Sequence, residues 1–450
     1  MNKIDTFRKY MLGGHGHCFA MLDEHKELYK ETVLYGCLNN IAFDLQCEGS
    51  RSSFMYNLAL QFDDYSYFLS AAIKKFMSPE VNDNWETVQH LTDFIELFAY
   101  NSDDEKAEQA IETKYSELYS LIMKLRWSSH TNKIIQSYEY IAIVVMQNND
   151  FDRSVRIFSD MGAYFLRCRK TSDNDLSWRF EWFLYNVRKQ YGEDFIAEKL
   201  AGLAEKSKEL YRFIRVMSAE RRFSKTDKPI ITAEKYIEKA FAGKASLADM
   251  IQIRCTDEQE KIKLAQAAEN EVDKNTKALL LKPFASRYNV FPLDSELLIK
   301  YTDSKNKKLR ETAMETLLYV KCPESHDLAI NQLKNGYSAV ALEMLVNNYS
   351  DSDREFLTGF LNNITVDIEN SSSWHGVVSA ILDNAEIMPV EAIIFIFERS
   401  LCSCCRLNAV EELIKRNALT EEMISDCLVD CNEDIRKSVS GFLITHNDIA

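Results

Sequence analysis

Turn-forming residues are scarce in this chain. Only 13 glycines and 6 prolines stand among 450 residues, where average usage of roughly 7% and 5% would supply about 31 and 22. Sandwiches and barrels of short strands need a turn signal about every 8–12 residues, and a doubly wound fold needs glycines where strands hand over to helices. Neither fits. Long apolar runs are missing too, since the longest stretches are short ones such as Tyr140–Met146, against the roughly 18–20 residues that span a bilayer. The first residues carry Lys3, Asp5, Arg8 and Lys9 where a signal peptide would have its apolar region. The expectation is a chain that does not cross membranes and stays in the cytoplasm. No Gly-x4-Gly-Lys-[Ser/Thr], Gly-x-Gly-x-x-Gly, His-Glu-x-x-His or Gly-x-Ser-x-Gly string occurs, which points away from an enzyme, although catalytic residues often lie far apart in sequence.

What is present is ordinary globular material: 46% hydrophobic and 27% charged residues, enough for two or three domains or one extended array. Eleven cysteines are scattered along the chain. An odd number without secretory features reads as thiols, many of them small buried apolar groups, with no structural disulfide. The formal net charge of −15 makes the chain as a whole repel nucleic acid and anionic lipid. Residues 151–230 reverse that sign locally, with 17 Lys+Arg against 12 Asp+Glu.

Apolar residues recur at helical spacing almost everywhere. Leu34, Leu38, Ile41 and Leu45 form one stripe, Leu91, Ile95 and Phe98 a second, and Tyr115, Leu118, Ile122 and Leu125 a third. Between the stripes lie short polar breaks such as Asn101–Asp104, Gln147–Asp150 and Thr171–Asp175, whose Asn, Ser and Asp side chains suit helix N-caps. The pattern predicts an all-α protein of roughly twenty or more helices. The polar connector Arg221–Pro229 marks the expected boundary between an irregular helical part, 1–225, and a repeat array, 226–450.

The array rests on a recurring column. With Arg310, Ser338, Arg406 and Arg436 set as position zero, the preceding residues are Leu309, Tyr337, Cys405 and Ile435. Position three holds Ala313, Ala341, Ala409 and Val439, and position seven holds Leu317, Leu345, Leu413 and Leu443. Position eight holds Leu318, Val346, Ile414 and Ile444. These offsets share one helical face. Units of this length cannot bury such a face alone, so stacked helical hairpins are expected, with a degraded copy near Trp374, Val378 and Leu382.

The segment from Asp430 to Val439, with Ile435 before Arg436, resembles the HEAT repeat, in which a turn Asp is followed six residues later by an Arg on the second helix. Asp303 and Arg310 match with one extra residue, while Ser400 stands in the Asp place of the Arg406 copy. The resemblance implies an α-α superhelix, a HEAT-like solenoid of stacked helical hairpins, and a role as a binding scaffold rather than a given activity.

Four groups of residues are candidates for chemistry. His15 and His17, with Cys18 in a glycine-rich loop after the first helix, could line a ligand loop, although their spacing does not suit zinc. Cys402, Cys404, Cys405, Cys427 and Cys431 are dense enough for zinc, but Cys405 falls in the apolar column, so core packing is the better reading. Arg212, Arg215, Arg221 and Arg222, near Trp178 and Trp182, are the candidates for an anion or nucleic-acid contact. Position five holds Glu315, Glu343 and Glu411, about 140° round from the Arg column, and would offer an acidic stripe to a basic partner segment. The expectation is a macromolecule-binding scaffold or adaptor with a protein partner and no metal or cofactor. The alternative is a nucleic-acid-binding protein or a HEAT-like DNA glycosylase-type enzyme working through residues 151–230.

Overall fold

The computed structural model describes residues 2–125, 129–147, 151–168, 171–219, 231–287, 289–336, 338–364 and 374–447. Among them are 27 α-helices and no strand, with 76% helix, as the shortage of turn residues predicts. No described helix is long and apolar enough to cross a membrane. The connector 221–229 lies outside the described residues.

Polar side chains set many of the helix boundaries. Asp104 accepts from the amides of Lys106 and Ala107 to start Glu105–Ile122, just after Asp103, at φ 49°, has ended Trp85–Ser102. Ser172 caps Asp173–Arg179 in the same way. Each such cap contributes about 1 kcal/mol by satisfying amides that have no partner within the helix. One expected stripe is split by this chemistry. His17–Leu38 stops before Ile41 because Asn40 Oδ1 takes the Ala42 amide, and Asp44 then caps the short helix Leu45–Glu48. Side-chain acceptors here outcompete helical continuation.

The chain divides into two compact units, residues 1–225 together with 421–450, and residues 226–420. The expected array, 226–450, is therefore not one body, because its last hairpin belongs with the N-terminal part. In the first unit a continuous core runs from Phe7 to Met217, with Cys431 packed against it. The helix Phe151–Arg167 lies along Lys208–Met217, where Phe158 and Phe213 stack at 4.8 Å, while Trp85–Ser102, Glu105–Ile122 and Ser129–Gln147 pack on one another. His90 is fully buried and joins three segments: its Nε2 lies 3.0 Å from Gly36 O and its Nδ1 3.1 Å from Ser52 Oγ. Burial lowers its pKa to about 4, so it is a neutral structural histidine at physiological pH.

The return of residues 421–450 depends on the glycine loop. The Cys431 amide donates to Gly14 O at 2.9 Å. Gly14 sits at φ 70°, and a Cβ there would lie 2.2 Å from Cys431 Sγ; a Cβ on Gly16 would lie 2.1 Å from Asp426 O. Only hydrogen side chains permit this approach.

In the second unit helices pack in consecutive pairs: Glu296–Thr302 with Lys307–Leu317, Pro323–Asn335 with Ala339–Asn347, and Val390–Arg399 with Ser403–Lys415. The second members also touch in order, from Lys274–Leu281 through Lys307–Leu317, Ala339–Asn347 and Trp374–Asp383 to Ser403–Lys415. The column residues Leu309, Ala313, Leu317, Ala341, Leu345, Ala409 and Leu413 are buried, whereas Ile444 is 66% exposed. Tyr337 lies outside the described residues.

Replacing Gly16 by Ala pushes Asp426 off the loop. The first unit's thermal midpoint should drop by about 3–8 °C, the shift expected for roughly 1–3 kcal/mol of overpacking, and residues 421–450 should become the first site of limited proteolysis. Gly202→Ala, where nothing lies within 4 Å of the added Cβ, serves as the control and should leave the midpoint within about 2 °C.

Candidate functional site

The helix Ser129–Gln147 contains the longest apolar run, and Ile141 to Met146 are all buried. A helix apolar round its circumference is surrounded by protein. A charged residue at the head of that run is consequently drawn inside. Glu139 is only 6% exposed, its Oε1 has no hydrogen-bond partner among the described residues, and burial raises its pKa well above the ordinary carboxylate value.

Glu139 lines a cavity of about 430 Å³ in the first unit. Four segments supply the walls, Leu45 of the short helix Leu45–Glu48 being one contribution. Trp85 and Gln89 come from Trp85–Ser102, Gln136 and Tyr140 from Ser129–Gln147, and Phe180 and Trp182 from the junction of Asp173–Arg179 with Glu181–Tyr191. Phe180 itself, at φ −103° and ψ 24°, interrupts the two helices, and this break brings the Trp182 ring parallel to Tyr140 at 5.6 Å. The Tyr140 hydroxyl donates to Asp93 Oδ1.

Two more carboxyls lie on the Trp85–Ser102 helix at offsets four and seven from Gln89. Burial raises Asp93 to about 6, opposed by hydrogen bonds from Tyr140 and Ser50. Burial and then the neighbouring Asp93 charge raise Glu96 to about 7. Asp93 acts on Glu96 and both act on Tyr140, whereas Glu139, the residue before Tyr140, is raised by burial alone. On Asp173–Arg179 and Glu181–Tyr191, Trp178, Trp182 and Tyr185 are 74%, 48% and 54% exposed.

The residues singled out from sequence take other positions. His15 is buried, edge-on to Tyr10, with Nδ1 3.6 Å from Asp426 Oδ2, and His17 is half-buried with its ring 4.6 Å from Tyr10. His15 thereby contributes to the docking of residues 421–450. Among the described residues no three His, Cys, Asp or Glu side chains come together in a group able to hold a metal. Cys402 is buried in the second unit and Cys405 Sγ lies 4.0 Å from His375 Nδ1, whereas Cys427 and Cys431 belong to the first unit.

Arg212 and Arg215 do come together, but on one carboxylate: Arg212 Nη1 pairs with Asp173 Oδ1, and Arg215 Nη2 lies 2.7 Å from Asp173 Oδ2. Arg153 and Arg156 are likewise engaged by Glu112 at 2.8 Å each. Arg221 and Arg222 lie outside the described residues. The three glutamates of position five have three different surroundings. Glu315 pairs with Lys282, Glu343 is half-buried against Gly376 with its pKa raised by burial, and Glu411 is exposed. Glu343 departs from a solvent-facing position because Trp374–Asp383 packs over Ala339–Asn347.

Sequence reasoning passed over Glu139. Its one signal was a carboxylate directly before Tyr140–Met146, inside a run whose other members are apolar. The three raised carboxyls come from tertiary burial, which no spacing within the sequence discloses. No family model, no curated protein and no solved structure matches the chain.

Glu96 provides a test of this electrostatic picture. A carboxyl raised from 4.5 in the unfolded chain to about 7 in the fold binds more protons folded than unfolded between those values, so it makes stability fall as pH rises through that window. Glu96→Gln removes the penalty. Its thermal midpoint should exceed that of the unsubstituted protein by a few degrees at pH 8 and match it near pH 4.5, as read by scanning calorimetry.

Proposed function

We propose that the chain is a cytoplasmic binding scaffold of HEAT-like helical hairpins that recognises a protein partner. The architectural part is supported by the ordered contacts between second helices in residues 226–420 and by a recurring backbone tie. Arg310 Nη1 donates to Ser304 O at 2.8 Å, Arg406 Nη1 to Ser400 O at 3.1 Å, and Arg436 Nη1 to Asp430 O at 2.5 Å. Each arginine reaches the main chain six residues upstream, so the turn needs a carbonyl at that place and tolerates Ser or Asp alike. Ser338, which has no guanidinium, instead caps its helix by accepting from the Ala341 amide.

The observation that carries the binding reading is the exposure of three large aromatics within eight residues, Trp178, Trp182 and Tyr185. Trp and Tyr dominate the energetics of protein interfaces because they bury large area with few rotatable bonds. Exposed apolar rings of this size have a desolvation gain to realise on a partner. The acidic net charge and the engagement of Arg153, Arg156, Arg212 and Arg215 by carboxylates favour protein over nucleic acid as the partner. One feature favours nucleic acid instead: Tyr211, 57% exposed, borders an open groove with Lys206 and Lys208, a combination suited to a phosphate backbone and unstacked bases.

Affinity capture on the full chain with nuclease-treated and untreated extract separates the two, with the retained species identified by mass spectrometry. The expected result is one protein, retained after nuclease treatment and lost when Trp178 and Tyr185 are both replaced by Ser, with the circular dichroism unchanged. Retention that disappears with nuclease, or that survives the double substitution, overturns the protein-scaffold reading at this surface.

A further inference from the structure

We infer that the cavity at Glu139 is a binding site for an organic cation that presents N–H donors on an apolar stem, that is, an alkyl- or arylalkyl-ammonium group. The argument begins with Glu139, which lines the cavity and whose buried Oε1 has no hydrogen-bond partner among the described residues. A carboxyl oxygen in that condition forfeits the hydrogen bonds it had in water. A fold does not gain from such a group, since Gln or Leu would fill the same helix position at lower cost. A ligand that donates to it from within the cavity forms a charge-assisted hydrogen bond in a poorly hydrated place, where such bonds are strongest.

The remaining walls specify what stands behind the donor. Trp85, Tyr140, Phe180 and Trp182 surround the space with rings, and aromatic faces attract cations and bury hydrocarbon. The amides of Gln89 and Gln136 add neutral polar contacts. Asp93 and Glu96 make the region behind Tyr140 more negative once ionised. The titratable and charged groups around Glu139 are Asp93 through Tyr140, Tyr164 from Phe151–Arg167, and Arg179, which is exposed and on the cavity lining. Any ligand meets one guanidinium, one carboxyl and four rings, and an anion gains only the exposed guanidinium of Arg179. A cation gains the buried carboxyl and the faces of four rings against that one exposed guanidinium. The volume, about 430 Å³, is in the range of small-molecule sites.

The group that enters can be a free amine or the side chain of a lysine, and both share the ammonium chemistry. Burial disfavours the ionised form of Glu139, so pairing with an ammonium group draws the carboxyl toward ionisation and releases its proton, while the ammonium keeps its own proton below about pH 9. Affinity therefore rises with pH through the titration of Glu139. This site is independent of the exposed-aromatic reading above except for Trp182, and it stands or falls on its own measurements.

The experiment is calorimetric titration of the full chain with 2-phenylethylammonium chloride, with N-acetyl-lysine methylamide, and with neutral 2-phenylethanol. Each titration is run in two buffers of different ionisation enthalpy. The expected result is millimolar or tighter binding of at least one ammonium probe, at least tenfold tighter than the alcohol, with proton release that disappears in Glu139→Gln. Binding by 2-phenylethylammonium alone assigns a free amine, and binding by the lysine derivative assigns a side chain. Glu139→Gln keeps the shape of the side chain and should weaken binding at least tenfold. Trp182→Ala, a change at a half-exposed ring that leaves the core intact, should weaken it about two- to fivefold. Absence of binding by both ammonium probes at 10 mM, equal binding by the alcohol, or unchanged affinity in Glu139→Gln overturns the proposal.

Discussion

One main-chain hydrogen bond, from the Cys431 amide to Gly14 O, marks the constraint on which the division of the molecule depends. It brings residues 421–450 onto a loop formed by the first residues of the chain, so a unit that begins at the N-terminus is completed only after residues 226–420 have been traversed. The approach is close enough that Gly14 and Gly16 have room for no Cβ. Bringing such distant segments together incurs a loop-closure cost that grows only slowly with length, and the intervening unit folds around its own core.

Within the first unit the buried helix Ser129–Gln147 has a comparable role. Its apolar run is enclosed by neighbouring helices, and polar groups that travel with it must find partners inside. Most do: the Tyr115 hydroxyl donates to Asp160 Oδ2 at 2.7 Å and lies 3.2 Å from the Tyr138 hydroxyl, and Tyr140 is satisfied by Asp93. Glu139 Oε1 is the member of that helix with no partner among the described residues. Local disagreement between a residue and its surroundings of this kind is where natural proteins depart from maximal stability, and function is the usual reason.

The repeated segments follow a different economy. The arginine of each full copy bonds a main-chain carbonyl, which explains why Ser400 can stand in the Asp place while the turn keeps its form. Arg406 is fully buried in this arrangement, with its guanidinium tied to the Ser400 carbonyl. Hydrogen bonds to charged groups contribute roughly 1.5–3 kcal/mol, enough to account for the guanidinium recurring at this position.

Local chemistry was legible in the sequence. The scarcity of Gly and Pro, the apolar stripes and the capping residues at Asp104 and Ser172 specify helices because each effect acts within a few residues of its origin. The columns through Ala313, Ala341 and Ala409 were legible for the same reason, since a buried face repeats wherever the same packing repeats. Long-range pairing was not. That Gly14 would meet Cys431, that Asp173 would take both Arg212 and Arg215, and that Glu343 would be covered by Trp374–Asp383 depend on which surfaces come together. The same holds for the site. A glutamate beside a long apolar run can be read from the sequence, but its burial, its unsatisfied oxygen and the rings around it exist only once helices from three parts of the chain have packed. Burial and electrostatic environment are properties of the assembled interior rather than of any one segment.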